Sequence, residues 1–215
     1  MLGGVRERRF ADRATAGAEL GCRLAARSLP DPLVLGLARG GMVVAAGVAL
    51  ALGVDLDVLV VRKIGHPRHR ELGLGAIAEG GHPVFDDGGL RAAGLTPDDL
   101  ADVVAAERAE CERRVATYRG DREAAGVAGR TVVVVDDGVA TGVTARAALR
   151  SLRGRSVGRL VLATPVATMT ALAGLRQDAD EVVSLLVPAR LDAVSRWYAV
   201  FDQTSDDEVV RLLAT

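Results

Sequence analysis

Lysine is all but missing from this chain of 215 residues: Lys63 is its only one, and every other Lys/Arg position is arginine. With so many alanines, glycines and valines alongside, this is the mark of a GC-rich genome rather than a functional choice. The one retained lysine is therefore worth following. Net charge is −1 at pH 7, which leaves no positive excess to hold a nucleic acid or an anionic membrane. Apolar runs are too short or too interrupted to span a bilayer. The two cysteines, Cys22 and Cys111, lack the spacing of a metal site and read as small core residues in a reducing compartment. Met1–Phe10 carries arginines but no apolar stretch of a secretory leader, so the expected location is the cytoplasm. Aromatics make up only 3% of residues, yet Trp197, Tyr198 and Phe201 fall together. Rings at that spacing suit either stacking on a flat ligand or a hydrophobic plug over a sheet.

What the chain does have is concentrated in residues 131–144, Thr-Val-Val-Val-Val-Asp-Asp-Gly-Val-Ala-Thr-Gly-Val-Thr. Four consecutive valines suit a strand buried on both faces of a parallel sheet. The Gly/Thr loop that follows opens a helical segment, the place where such sheets present ligands. Gly138 and Gly142 let the backbone curl around a group, Thr141 and Thr144 offer hydroxyls, and the helix start offers unpaired N–H groups to an anion. Asp136 and Asp137 would repel a phosphate, so they face something else on the same ligand, such as sugar hydroxyls or a metal. A Walker-type loop needs Gly-Lys-Ser/Thr, and there is no lysine here. A receiver-type acidic pair opens its domain, whereas this one follows 130 residues. A plain strand–turn–helix with solvated acids leaves the pair without a purpose.

Around this loop, apolar strand-like runs fall at Leu33–Ala38, Leu56–Val61, Thr131–Asp136, Arg159–Thr164 and Glu181–Val187. Helical patterns alternate with them. Asp12 is placed to cap a first helix, Gly41–Gly53 links the first two strands, Thr96-Pro97-Asp98-Asp99 starts a helix running to about Tyr118, and a short terminal helix begins near Thr204 or Ser205. Residues 72–86 interrupt the alternation as two short strands about Gly80-Gly81. The pattern predicts an α/β protein with a doubly wound, mainly parallel sheet and an inserted antiparallel hairpin flap.

Two other strand ends carry cations. Leu37-Ala38-Arg39-Gly40-Gly41 passes straight into a helix, so its glycines permit close approach to an anion and Arg39 adds a forked cation. Val61-Arg62-Lys63-Ile64-Gly65 opens a polar stretch, His66-Pro67-Arg68-His69-Arg70-Glu71, that reads as a mobile basic loop. His66 and His69 lack the further ligands of a metal pair.

The acidic loop resembles the signature of the type I phosphoribosyltransferases: four apolar residues, two acids, then small and hydroxyl residues ending Thr-Gly-x-Thr. The resemblance implies that fold over a single domain, residues 1–215, with a flexible loop and hairpin at about 62–88 and a C-terminal hood at about 188–215. It implies binding of 5-phosphoribosyl-1-diphosphate (PRPP) and transfer of its phosphoribosyl group to a nitrogenous base, with Mg²⁺ as cofactor. By the family pattern, Asp136 and Asp137 take the ribose 2- and 3-hydroxyls and are the candidate Mg²⁺ ligands, directly or through water. Gly138, Val139, Ala140, Thr141 and Gly142, with Thr144, hold the 5-phosphate. Arg39, Gly40 and Gly41 hold the diphosphate, often through an unusual peptide conformation, while Arg62 and Lys63 close over it. Asp136, Asp137, Lys63 and Arg39 are thus the expected catalytic set, with Trp197 a candidate for stacking on the base.

The further wording Ala-Arg-Gly-Gly, Val-Arg-Lys-Ile-Gly, Gly-Ala-Ile-Ala-Glu and Phe201-Asp202-Gln203-Thr204-Ser205-Asp206 is similar to a bacterial group of phosphoribosyltransferases whose acceptor is not settled. Ala140 stands where 6-oxopurine enzymes of the family carry an aspartate, which argues against that acceptor class; Glu71 or Glu79 could supply a carboxylate instead. The family also admits a non-catalytic PRPP- or nucleotide-sensing regulator, and it allows a homodimer. Neither nucleic acid nor membrane is expected as a partner.

Overall fold

The computed structural model describes residues 8–69 and 72–214. Its central strand is the valine run. Val132 and Val134 pack into one hydrophobic core and Val133 and Val135 into a second on the opposite side. Side chains alternate along an extended strand, so a strand covered on both faces needs an unbroken apolar sequence.

In chain order the strands are β1 (Pro32–Leu37), β2 (Leu56–Leu59), β3 (Val61–Gly65), β4 (Gly73–Ala78), β5 (Val84–Phe85), β6 (Thr131–Val135), β7 (Arg159–Val166) and β8 (Glu181–Leu186). The helices are α1 (Arg13–Ala25), α2 (Gly40–Leu52), α3 (Asp87–Ala93), α4 (Ala101–Arg119), α5 (Val143–Arg153), α6 (Met169–Leu175) and α7 (Asp206–Leu213). Five strands form a parallel sheet in the order β2-β1-β6-β7-β8, and β3-β4-β5 form a separate antiparallel sheet. Leucines and alanines of α1 and α2 cover one face of the large sheet, and those of α5 and α6 the other. The α/β class and the antiparallel flap are as expected.

From β1 the chain passes to β2 on one side, whereas β6 leads to β7 and β8 on the other. The carboxyl ends of β1 and β6 therefore flank a topological switch point, where helices diverge and leave a crevice.

The run Leu56–Val61 is not one strand. It breaks at Val60, and its two halves belong to different sheets. Side chains take over main-chain hydrogen bonding there: Glu79 accepts from the Val60 N–H at 3.2 Å, and Arg119 donates to the Val58 carbonyl at 2.5 Å. With those groups satisfied, the backbone can leave the parallel ladder. Arg62 and Lys63 consequently lie on β3, paired with Ile77 and Ala76, and not in a loop. Arg70 and Glu71 lie outside the described residues, as do residues 1–7 of the N-terminal stretch.

Capping follows sequence at both ends of the fold. Asp12 accepts from the Thr15 N–H at 2.7 Å and Ser205 from the Glu208 N–H at 3.1 Å. At α4 the roles are reversed. Thr96 donates its N–H and hydroxyl to Asp99, at 2.8 and 2.7 Å, ahead of a 3-10 turn at Asp98–Leu100. Cys111 is buried as expected, but Cys22 sits on the solvent side of α1. Among the described residues, no helix is long and apolar enough to cross a membrane.

Candidate functional site

A cleft of about 1000 Å³ opens at the carboxyl ends of β1 and β6. It brings together Arg39 and Gly40 after β1, Arg62 and Lys63 on β3, and Asp136–Gly142 with Thr144 after β6. Two expected residues are not on its wall, Gly41 and Trp197.

The β1 and β6 loops touch. A Cβ added to Gly40 would lie 2.0 Å from Asp137 Oδ2, and one at Gly41 would lie 2.8 Å from the Val135 carbonyl oxygen. Only glycine permits this approach. Gly41 thus supports the acidic loop from beneath. The Ala38–Arg39 peptide is cis.

The two acids are adjacent but held differently. Asp136 Oδ1 accepts from the Asp137 N–H at 2.9 Å. Asp137 Oδ2 accepts from Arg13 Nε at 2.7 Å, and its carbonyl accepts from the Tyr198 hydroxyl. Burial, then the neighbouring Asp137 charge, raises the proton affinity of Asp136; burial does the same for Asp137, opposed by Arg13 and Lys63.

Beyond the acids, the loop is tied down on its outer side. Val139 donates to the Val166 carbonyl at 2.9 Å, and Thr168 donates its N–H to the Val139 carbonyl at 3.0 Å and its hydroxyl to that of Ala140 at 2.8 Å. Gly142 then takes a left-handed conformation, φ +82°, at the start of α5. The first N–H groups of that helix, from Val143 to Ala145, have no partner within it, and they carry the positive end of its dipole. This is a cradle for an anion.

Arg39, Arg62 and Lys63 line the same cleft as the acids. Arg39 lies 3.6 Å from Asp206, whose carboxylate also accepts from the Tyr118 hydroxyl at 2.7 Å. Arg62 pairs with Glu107 at 2.8 Å. Lys63 is exposed, and its side chain has no ion pair or hydrogen bond among the described residues, so its ammonium is free to meet a ligand.

Arg13 escaped the sequence reading. It follows a helix cap like any first-turn residue, and its partner Asp137 lies 124 positions away, so nothing local marks it. Trp197 packs with Phe10, Val166 and Tyr198 as a plug. Phe201 does reach the cleft, but the Arg13 guanidinium covers its ring, 3.6 Å from the centroid. Glu79 is engaged away from the cleft, with Arg119 at 2.8 Å and the Val60 N–H. Glu71 lies outside the described residues. His66 Nδ1 accepts from the N–H groups of Arg68 and His69, and no group of three or more His, Cys, Asp or Glu suited to a metal occurs among the described residues.

A family model described as a phosphoribosyl transferase domain matches residues 21–195. Over 204 residues the chain is 44% identical to a protein of Mycobacterium tuberculosis (strain CDC 1551 / Oshkosh) that carries the name "Putative phosphoribosyl transferase". That match takes in 95% of this chain and 46% of the relative, so the chain spans about half the length of the curated relatives it matches. The crystal structure of TT1426 from Thermus thermophilus is 43% identical, with a TM-score of 0.79 over 95% of this chain and 97% of that one. AQ2163 from Aquifex aeolicus, at 15% identity and a TM-score of 0.55 over 87% of this chain and 86% of that one, shares the fold.

Proposed function

The chain belongs to the phosphoribosyl transferase domain family, and from that premise we propose that it binds PRPP and transfers the 5-phosphoribosyl group to a nitrogenous base. The observation that carries this reading is the convergence, in one cleft, of the Asp136–Asp137 pair, a helix-start cradle and the cations Arg39, Arg62 and Lys63. A phosphorylated sugar diphosphate presents the matching groups in the matching order. The cradle of Gly138–Gly142 and Thr144 takes the 5-phosphate, Asp136 and Asp137 accept from the ribose hydroxyls, and Arg39, Gly40, Arg62 and Lys63 face the diphosphate.

In the reaction, the bond from the anomeric carbon to diphosphate breaks as a bond to the acceptor nitrogen forms. Positive charge grows on the ribose ring and negative charge on the leaving diphosphate. The residues act by holding the reactants in line and by meeting that negative charge with fixed cations. Lys63, already free of partners, adds its charge without breaking a pair. Arg39 has only a long contact with Asp206 to give up.

Two adjoining carboxylates with raised proton affinity suit a divalent cation, directly or through water, because the cation relieves their repulsion. With no group of three or more His, Cys, Asp or Glu ligands among the described residues, such an ion would draw on substrate oxygens and water besides Asp136 and Asp137, the usual habit of Mg²⁺. Mg²⁺ held there would neutralise charge on the diphosphate. In this reading residues of about 62–88 serve as a lid and those of about 188–215 as a hood on one domain.

Of the rings on the cleft wall, Phe201 is covered by the Arg13 guanidinium and His66 is the other, which supports an acceptor held by polar contacts more than by a stack on a large aromatic ring. Ala140 offers no acid to the acceptor, and Glu79 is engaged elsewhere. The missing acid at Ala140 supports a second reading, a PRPP sensor without turnover. Incubation with PRPP, Mg²⁺ and a panel of purines, pyrimidines and amides, following diphosphate release, separates the two. Release with any acceptor supports the transferase. PRPP binding without release across the panel supports the sensor, and no PRPP binding contradicts both.

A further inference from the structure

We infer that Arg13 is a positioning residue of the ribose subsite, acting through Asp137 and held in place by the C-terminal segment Phe201–Asp206. The inference rests on the assignment of Asp137 to the ribose hydroxyls.

The two ends of the described chain are joined beside the cleft. Phe10 donates to the Trp197 carbonyl and accepts from the Ala199 N–H, both at 2.8 Å, and Val200 donates to the Ala11 carbonyl at 2.9 Å. Two side chains reach from this seam to the same residue. The Tyr198 hydroxyl donates to the Asp137 carbonyl, and Arg13 Nε donates to its Oδ2. Asp137 is thus gripped at both main chain and side chain.

Arg13 is itself fixed on three sides. Its Nη1 donates to the Asp202 carbonyl at 2.7 Å, its guanidinium lies on the Phe201 ring, and α1 begins at Arg13 behind the Asp12 cap. Its side chain is 11% exposed and that of Asp137 16%. A planar fork can serve a carboxylate, a carbonyl and a ring face together; an ammonium cannot. With Oδ2 held by Arg13, the plane of the Asp137 carboxylate is set, and with it the direction in which its oxygens meet a hydroxyl. This also gives work to Phe201-Asp202-Gln203-Thr204-Ser205-Asp206, which the transfer chemistry alone leaves idle: Phe201 and Asp202 brace Arg13, and Asp206 faces Arg39.

The test is calorimetric binding of PRPP, ribose 5-phosphate and inorganic diphosphate to the wild type, Arg13→Gln, Asp137→Asn and the double variant. Arg13→Gln should weaken PRPP and ribose 5-phosphate by about tenfold or more while diphosphate stays within about twofold, and its effect should vanish in the Asp137→Asn background. A general loss of structure would weaken all three ligands alike. Unchanged ribose 5-phosphate binding, or penalties of the two single variants that multiply in the double, overturns the role of Arg13. Should Arg13→Gln not fold, Arg13→Lys keeps the charge without the fork and carries the same comparison. Failure of the wild type to bind PRPP strikes instead at the function proposed above.

Discussion

A Cβ on Gly40 would fall 2.0 Å from Asp137 Oδ2 and 2.9 Å from Arg13 Nε, so the first residue of α2 has no room for any side chain. Gly40→Ala must push Asp137 out of its pair with Arg13. Overpacking of this kind costs about 1–3 kcal/mol of stability, but the damage falls on the ligand site. PRPP affinity should drop by about tenfold or more in a protein that still unfolds cooperatively. Unaltered affinity would show that the two loops can part without loss.

Asp136 gives the fold a pH dependence of definite sign. Its folded proton affinity is raised, chiefly by burial and then by Asp137, above the ordinary carboxylate value of 3.8. A raised folded pKa means that stability is fully present below the unfolded value and is lost as pH climbs through the folded one. Asp136→Asn removes that titration, and an amide oxygen can still accept from the Asp137 N–H. Thermal unfolding from acid to alkaline pH should show the variant gaining on the wild type as pH rises above about 4. A gap that shrinks toward alkaline pH has the wrong sign for this account.

The two thiols should differ in reactivity. Burial pushes the Cys111 thiol up to about 11, whereas Cys22 is exposed. A disulfide reagent at neutral pH should label one thiol per native chain, and it should be blocked entirely by Cys22→Ser. Rapid labelling of both in the folded protein would contradict the packing around Cys111.

Arg119 holds the break between β2 and β3. Its side chain, 8% exposed, faces Asp57 at 3.4 Å and Glu79 at 2.8 Å. Arg119→Leu leaves the buried Asp57 and the half-buried Glu79 without their cation, a situation that costs about 3–5 kcal/mol. Urea unfolding measures it directly. A loss under about 1 kcal/mol would mean that other contacts hold the strand break.

Much of the site was legible in the sequence because each piece had a local cause. Four valines need two covered faces, glycines mark close approach, and a helix start marks an anion cradle; Gly40, Asp136–Gly142 and Thr144 do come together at one cleft. The errors share another origin. The sheet change at Val60 lies within an unbroken apolar run, and it is driven by Glu79 and Arg119 from distant segments. Arg62 and Lys63 therefore read as loop when they are strand. Arg13 has no local signature, since its role depends on a seam between the ends of the described chain. Trp197 carried two local readings, and only packing against Phe10 and Val166 decides for the plug.

In the proposed function Asp136 and Asp137 bind the ribose of PRPP. Its most direct test is calorimetry of PRPP with Mg²⁺ on the wild type and on Asp136→Asn combined with Asp137→Asn. Hydrogen bonds to charged groups contribute about 1.5–3 kcal/mol each, so the account predicts saturable binding to the wild type and a loss of about a hundredfold or more in the double variant. Equal affinity in the two proteins would contradict it.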